Sequence, residues 1–238
     1  MSITTTKSAT EMSALKERLK VTWESGDYGV FAKYLEPGAL EFFDRLEIEP
    51  GTRLLDVGCG AGQLTIPAAR RGIDVVGIDL AQNLVDQAKE RAMAEGLEIH
   101  IEQGDAEALP YEDASFDMVM SLIGSMFAPR PELVASEMIR VCRPGGKIVM
   151  GNWTPTGHVG QMFKTIGKHV PPPAIFPSPL LWGDEATVRD RFDDAVVDLQ
   201  ITPRMYPFRY PFGPEKVVEF FFDYYGPTFK AYRSLDEE

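Results

Sequence analysis

Cysteine is scarce in this chain. Only Cys59 and Cys142 occur among 238 residues, too few for a disulfide framework and without the paired spacing of a metal site, so a reducing, cytoplasmic setting and no bound metal are expected. Basic charge is also in short supply. Against 36 Asp and Glu stand 24 Lys and Arg, giving a net charge of −12, a field that repels a nucleic-acid polyanion unless a local basic patch outweighs it. The densest basic run, Lys16 to Lys20, carries Glu17 among its charges and has the pattern of a solvated helix face. Long apolar runs are missing as well. Nothing approaches the roughly 20 residues that span a bilayer, and the polar start Met1-Ser2-Ile3-Thr4-Thr5-Thr6 has no apolar signal core behind it. The expectation is a soluble protein with a small-molecule partner, monomeric or homodimeric, engaging neither nucleic acid nor membrane. With 44% hydrophobic residues, the chain suffices for one substantial α/β core and is short for two.

What the chain does have is glycine, concentrated at one place. Asp56-Val57-Gly58-Cys59-Gly60-Ala61-Gly62 follows the apolar run Arg53-Leu54-Leu55 and precedes a helix-like stretch, which makes it the loop of a strand–loop–helix nucleotide site. Without Cβ atoms, a ligand can lie directly on the main chain. A dinucleotide fingerprint counted from Gly58 requires its third glycine at position 63, where Gln63 stands. The acid closing the strand, Asp56, suits an ammonium group and repels a pyrophosphate.

From Leu54 to Trp153, short apolar runs alternate with helix-like segments, as a parallel sheet covered by helices requires. Strands are expected at 53–57, 74–78, 97–102, 116–122 and 147–150, with helices from about 63 to 72, 83 to 95, and from Pro131. Residues 154–182 are rich in Pro, Gly and aromatics, including Pro171-Pro172-Pro173. This composition predicts an irregular cover over the ligand edge of the sheet. A helix near 184–192 follows, then extended runs at 195–202 and 204–212 that are close enough to pair as a hairpin, then an apolar helix from Pro214. Ser234-Leu235-Asp236-Glu237 has the form of a helix-starting capping box, which predicts a further helix beyond it.

Further acids fall at the ends of successive strands, where an open α/β sheet binds its ligand. Asp79 closes the second strand, where a carboxylate can accept both ribose hydroxyls of an adenosine. Gly104-Asp105-Ala106 closes the third, where a carboxylate can meet an adenine amino group and a backbone amide a ring nitrogen. Ser121 to Ser125 follow the fourth. Leu54 through Gly62, Gly77-Ile78-Asp79, Gly104-Asp105-Ala106, Phe116-Asp117-Met118-Val119 and Arg143-Pro144-Gly145-Gly146 together resemble the motifs of the class I S-adenosylmethionine-dependent methyltransferases, small-molecule type related to the ubiquinone and menaquinone biosynthesis enzymes. The resemblance spans about residues 50–153. It implies a Rossmann-like three-layer αβα sandwich with a seven-stranded, mostly parallel sheet ending in an antiparallel hairpin. It also implies that Gly58, Cys59, Gly60, Gly62, Gln63 and Ser121 lie about the methionine portion of S-adenosyl-L-methionine, with Asp56 near its amino group. Asp79 would hold the ribose, Leu80 would pack on the adenine, and Asp105 with Ala106 would read the adenine edge. The chain then divides into a helical lid (1–45), a cofactor core (50–153), a substrate cover (154–193) and a C-terminal hairpin with helix (194–238).

The catalytic residues are open at this point. A sulfonium already activates its methyl group, so alignment, worth roughly 7–11 kcal/mol, outweighs a general base at about 10²–10⁴-fold in rate. His158 and His169, in the expected cover, are candidate bases, and exposed loop histidines are the simpler account of both. Trp23, Tyr28, Phe31 and Tyr34 are either an aromatic lid or plain core. Two other classes share these features: a non-catalytic S-adenosylmethionine-binding regulator, and an NAD-dependent oxidoreductase, against which Gln63 and Asp105 count.

Overall fold

The computed structural model of the chain describes residues 2–192 and 195–235. Five strands, β1 (Arg53–Val57), β2 (Asp74–Asp79), β3 (His100–Gln103), β4 (Phe116–Leu122) and β5 (Cys142–Gly151), form one sheet in the order β3-β2-β1-β4-β5. Every neighbouring pair is parallel. The central strand β1 is apolar on both sides because both sides are covered. Leu55 and Val57 pack with Val119, Val134, Ala135 and Met138, the last three from α6 (Pro131–Val141). Leu54, with Val75, Met118 and Met120, faces Phe43 of α3 (Glu36–Asp44) and Ala68 of α4 (Thr65–Arg70). On that second side α5 (Gln82–Ala94) packs Val85, Ala88 and Ala92 against Ile101 of β3.

The helices start and stop where local chemistry directs. Pro67 sits in the first turn of α4, where its missing N–H leaves no intrahelical bond unmade. Gly72 and Gly96 follow α4 and α5 with left-handed φ of 74° and 66°. The register of β4 and β5 jumps from Phe116↔Cys142 to Met118↔Lys147, so Arg143-Pro144-Gly145-Gly146 is looped out and β5 begins earlier than its apolar run.

Three expectations are corrected. The sheet has five strands, not seven, and residues 195–212 contain no strand and no hairpin. Pro203, Pro207 and Pro211 remove a donor at every fourth position, all along one edge of the run, which weakens a ladder on that edge. Instead Tyr206, Phe208, Tyr210 and Phe212 alternate along an extended segment: Phe208 stacks on Trp153, Tyr206 stands edge-on to it, and Tyr210 and Phe212 lie tilted against Tyr34 and Phe220. The segment expected to be an irregular cover is partly regular: α7 (His158–His169) is a helix, and Pro179–Gly183 forms a 3-10 turn before α8 (Glu185–Phe192). Prolines 155 and 171 to 173 flank α7 without entering it, so the proline content limits the helix without preventing it. Ser234 is no helix start. It lies in the last turn of α10 (Gly226–Leu235) and its hydroxyl donates to Ala231 O, while Glu237 and the 193/194 boundary expected from the sequence lie outside the described residues.

Before the sheet come α1 (Ser2–Trp23) and α2 (Tyr28–Ala32); after it, α9 (Pro214–Tyr224) packs on α2 and α10 on α1. The two terminal regions therefore close over the same end of the sheet. Phe31, Phe220, Phe221 and Tyr225 form the buried centre of that contact.

Candidate active site

The strand order reverses at β1: α4 and α5, on the β2 side, cover one face of the sheet, and α6, which follows β4, covers the other. A crevice therefore opens beyond the carboxyl ends of the strands, where such sheets bind ligands. The crevice is a cleft of about 1130 Å³, its open mouth included. Its floor is the glycine loop. Gly58 N and Cys59 N both donate to Ile78 O, at 2.8 and 3.1 Å, tying the loop to β2. Gly58 has φ of 74°, and a Cβ there would stand 2.6 Å from the Cα of Gly124, so only glycine is accommodated.

Two carboxylates, Asp56 buried and Asp79 half-buried, shape the floor. Asp56 Oδ2 accepts from Thr65 Oγ1 at 2.7 Å, and among the described residues no cation pairs with it. Burial foremost, eased by the Thr65 bond and reinforced by Asp79, pushes its carboxyl up to about 7. Asp79 Oδ2 accepts from Gly60 N at 2.8 Å and Oδ1 from Ala81 N at 2.9 Å. Burial raises Asp79 too, against the pull of those amides. Asp79 thus fixes the glycine loop as well as facing the cleft.

At the other end of the cleft, Asp105 and Ala106 line the wall after β3. Asp105 Oδ1 takes the Glu107 amide at 2.9 Å, and Oδ2 pairs with Lys16 of α1. Lys16 also pairs with Glu107 Oε2, and the same buried carboxylate accepts from Arg130, Nε to Oε2 and the amide N to Oε1, each at 2.7 Å. This cluster fastens α1 across the cleft. Leu19 and Trp23 of the same helix join Lys16 in the lining, and Trp23 meets Tyr28 edge to face at 5.6 Å.

Of the residues expected from the sequence, Asp56, Gly58, Cys59, Gly60, Gln63, Asp79, Leu80, Asp105 and Ala106 all border this one cleft. Gly62 and Ser121 do not. Gly62 packs on Ile66 and Ala88, and buried Ser121 lies beneath the floor, donating to Val57 O at 2.6 Å and accepting from Ser125 N at 3.0 Å. His158 and His169 are exposed and also outside the lining; the nearest ring to His158 is Phe208, 6.1 Å between centroids. Sequence reasoning missed Lys16, Leu19, Ile123 and Tyr206, all of which border the cleft. Lys16 sits in the run read as a solvated face, and nothing in its neighbours distinguishes it. Tyr206 belonged to the expected hairpin, and its hydroxyl in fact donates to Leu35 O at 2.7 Å.

Residues 55–150, which carry the floor and both acid-bearing strand ends, match the family model described as a methyltransferase domain. The chain carries a methyltransferase domain. This methyltransferase is 42% identical over 216 residues to an uncharacterized protein of Mycobacterium tuberculosis, covering 90% of this chain and 78% of that one. It is 38% identical over 113 residues to the demethylmenaquinone methyltransferase of Lactobacillus johnsonii, covering 45% and 46% of the two chains. The solved structure of the YcgJ protein from Bacillus subtilis shares the fold, with a TM-score of 0.55 at 21% identity over 66% of this methyltransferase and 67% of that chain. No helix among the described residues is long and apolar enough to cross a membrane.

Proposed function

We propose that the cleft binds S-adenosyl-L-methionine and that the enzyme transfers its methyl group to a small-molecule acceptor by holding the two in line. The observation that carries this is Asp56: a buried carboxylate at the cleft floor with a hydroxyl but no cation beside it. A ligand ammonium supplies the missing charge, whereas a pyrophosphate would be repelled by Asp56 and Asp79 together.

The residues present fit the rest of that ligand. Gly58 and Gly60 offer bare backbone for the methionine portion, with Cys59 and Gln63 beside them. Asp79 keeps acceptor capacity beyond its two amides for ribose hydroxyls, since an ionised carboxylate has about four lone-pair sites. Leu80 gives the adenine an apolar face, and Asp105 with the Ala106 amide meets its edge once Lys16 rests on Glu107. When bound, the cofactor supplies a methyl group already activated on a sulfonium. The chain's own residues orient and dry the site: α1, Trp23 and Tyr28 lie over it, and orientation is the larger share of the barrier reduction. His158 and His169 have no part in this reading.

Incubating the protein with methyl-labelled cofactor and a panel of phenols, thiols, amines and quinols tests it. Label transferred to an acceptor, with S-adenosylhomocysteine released in equal amount, supports the reading. Cofactor binding without transfer to any acceptor class supports a binding regulator instead.

A further inference from the structure

Little of α1 is buried. Of its side chains from Ala9 to Trp23 only Leu15 is out of contact with solvent, so the position of the helix depends on the polar contacts it makes. Lys16, Leu19 and Trp23, spaced three and four apart, share the face that borders the cleft. Just past the Trp23 end, Glu24 Oε1 accepts from the amide of Gln82, the first residue of α5, at 3.1 Å. Further back along the helix, the Lys16 ammonium reaches the loop after β3 and pairs with both Asp105 Oδ2 and Glu107 Oε2. The helix is thus pinned at two polar points along the cleft, and one of them is the carboxylate assigned above to the adenine edge.

The two acids that hold Lys16 are not equivalent. The Glu107 side chain is fully buried and already has a cation in Arg130, which donates to both of its oxygens. Asp105 is different. Its side chain is 31% exposed, and among the described residues Lys16 is its only cation. Oδ1 is turned back to the Glu107 amide at 2.9 Å, which leaves Oδ2 for a partner in the cleft. An adenine amino group, whose hydrogens carry partial positive charge, would have to approach the oxygen on which the ammonium already rests, and two positive donors crowded on one oxygen repel. Asp105 can serve one of them well, and Glu107 gives Lys16 somewhere else to stay.

We propose that Lys16 competes with the adenine of the cofactor for Asp105: the Lys16–Asp105 pair closes the free chain, and binding replaces it by the adenine amino group while Lys16 withdraws to Glu107. The inference rests on the cofactor reading above. Lys16 is a positioning residue, since it acts through Asp105 and not on the transferred methyl group. Part of the interaction with adenine is used in displacing the ammonium, so the cofactor binds less tightly than Asp105 alone would hold it. The spent cofactor leaves more readily for the same reason, because Lys16 returns as the adenine withdraws. A purine with a carbonyl in place of the amino group meets the pair differently: its oxygen is repelled by Asp105 but accepts from the ammonium. Lys16 therefore softens the discrimination between amino and oxo purines that a bare carboxylate would impose.

The test is calorimetric titration of the wild type and Lys16→Met with S-adenosylhomocysteine and with S-inosylhomocysteine, in which a carbonyl replaces the adenine amino group. Lys16→Leu serves should the first variant fail to fold. The proposal expects Lys16→Met to bind S-adenosylhomocysteine about 3- to 10-fold more tightly than the wild type, the size expected for a half-buried ion pair that no longer has to be displaced. It expects the preference for S-adenosylhomocysteine over S-inosylhomocysteine to rise by about 10-fold or more, since the variant loses the donor to the carbonyl and keeps the acid. A residue that merely holds α1 in place would move both ligands alike and toward weaker binding. If S-adenosylhomocysteine fails to bind the wild type, the cofactor reading falls and the competition with it. If it binds the wild type but Lys16→Met gains less than about threefold, or the preference between the two ligands does not rise, the cofactor reading stands and the competition is overturned.

Discussion

Replacing Asp79 by Asn is the perturbation whose size follows most directly from the structure. Both carboxylate oxygens are engaged, Oδ2 by the Gly60 amide at 2.8 Å and Oδ1 by the Ala81 amide at 2.9 Å. An asparagine can accept from only one of them and turns its NH₂ toward the other donor. One buried amide is then left unpaired, which costs about 1–3 kcal/mol in the free protein. The ligand meets a second loss, because a hydrogen bond from a ribose hydroxyl to a charged acceptor is worth roughly 1.5–3 kcal/mol. The variant should therefore melt several degrees lower and bind S-adenosylhomocysteine about 10- to 100-fold more weakly, at 1.4 kcal/mol per tenfold. Calorimetric titration and a thermal melt on the same sample measure the two effects separately. A lower melting point with an unchanged dissociation constant would show that Asp79 serves the loop alone and that the ribose lies elsewhere.

Three further outcomes are expected. Asp56, pushed up to about 7 in the folded chain from an ordinary 3.8, makes the folded state hold a proton that the unfolded state gives up, so stability should fall as pH rises from about 4 to 7. A ligand ammonium requires the ionised form, so S-adenosylhomocysteine should bind about tenfold more weakly at pH 6 than at pH 8; Asp56→Asn should flatten both profiles, and a variant that titrates like the wild type would refute the assignment. Lys16→Met leaves Glu107 with Arg130 alone and Asp105 without a cation, and should cost about 1–3 kcal/mol, read by urea denaturation; unchanged stability would mean that α1 is held by its apolar face only. Gly58→Ala forces a left-handed alanine whose Cβ meets the Gly124 backbone, and should lower stability by about 2 kcal/mol or more, with a melt equal to the wild type as the contrary result.

The domain core was legible in the sequence because its signals are local. Strand boundaries at β1 and β4, the helix stops at Gly72 and Gly96, and the acids at strand ends are each written in a few adjacent residues, and the fold brings Asp56, Asp79 and Asp105 to one cleft. Outside it, the determinants are long-range. The run 195–212 alternates like a strand, yet its rings pack against Trp153 and α9 and its prolines strip the donors from one edge. Helix α7 was hidden by prolines that flank it. Lys16 acquires its role only because α1 crosses the sheet edge 89 residues before the Asp105 it pairs with. The left-handed backbone of Ile123 is set by the Gly151 carbonyl and by close packing of Gly124 on Gly58, and a β-branched residue gives no warning of it.

The central claim is that the acid-lined cleft takes S-adenosylmethionine in place of a dinucleotide, and calorimetric titration of the full chain with S-adenosylhomocysteine and, separately, with NAD tests it most directly. The account predicts one-to-one binding of S-adenosylhomocysteine and binding of NAD at least about a hundredfold weaker, a difference near 2.7 kcal/mol. NAD binding as tight as S-adenosylhomocysteine would contradict it.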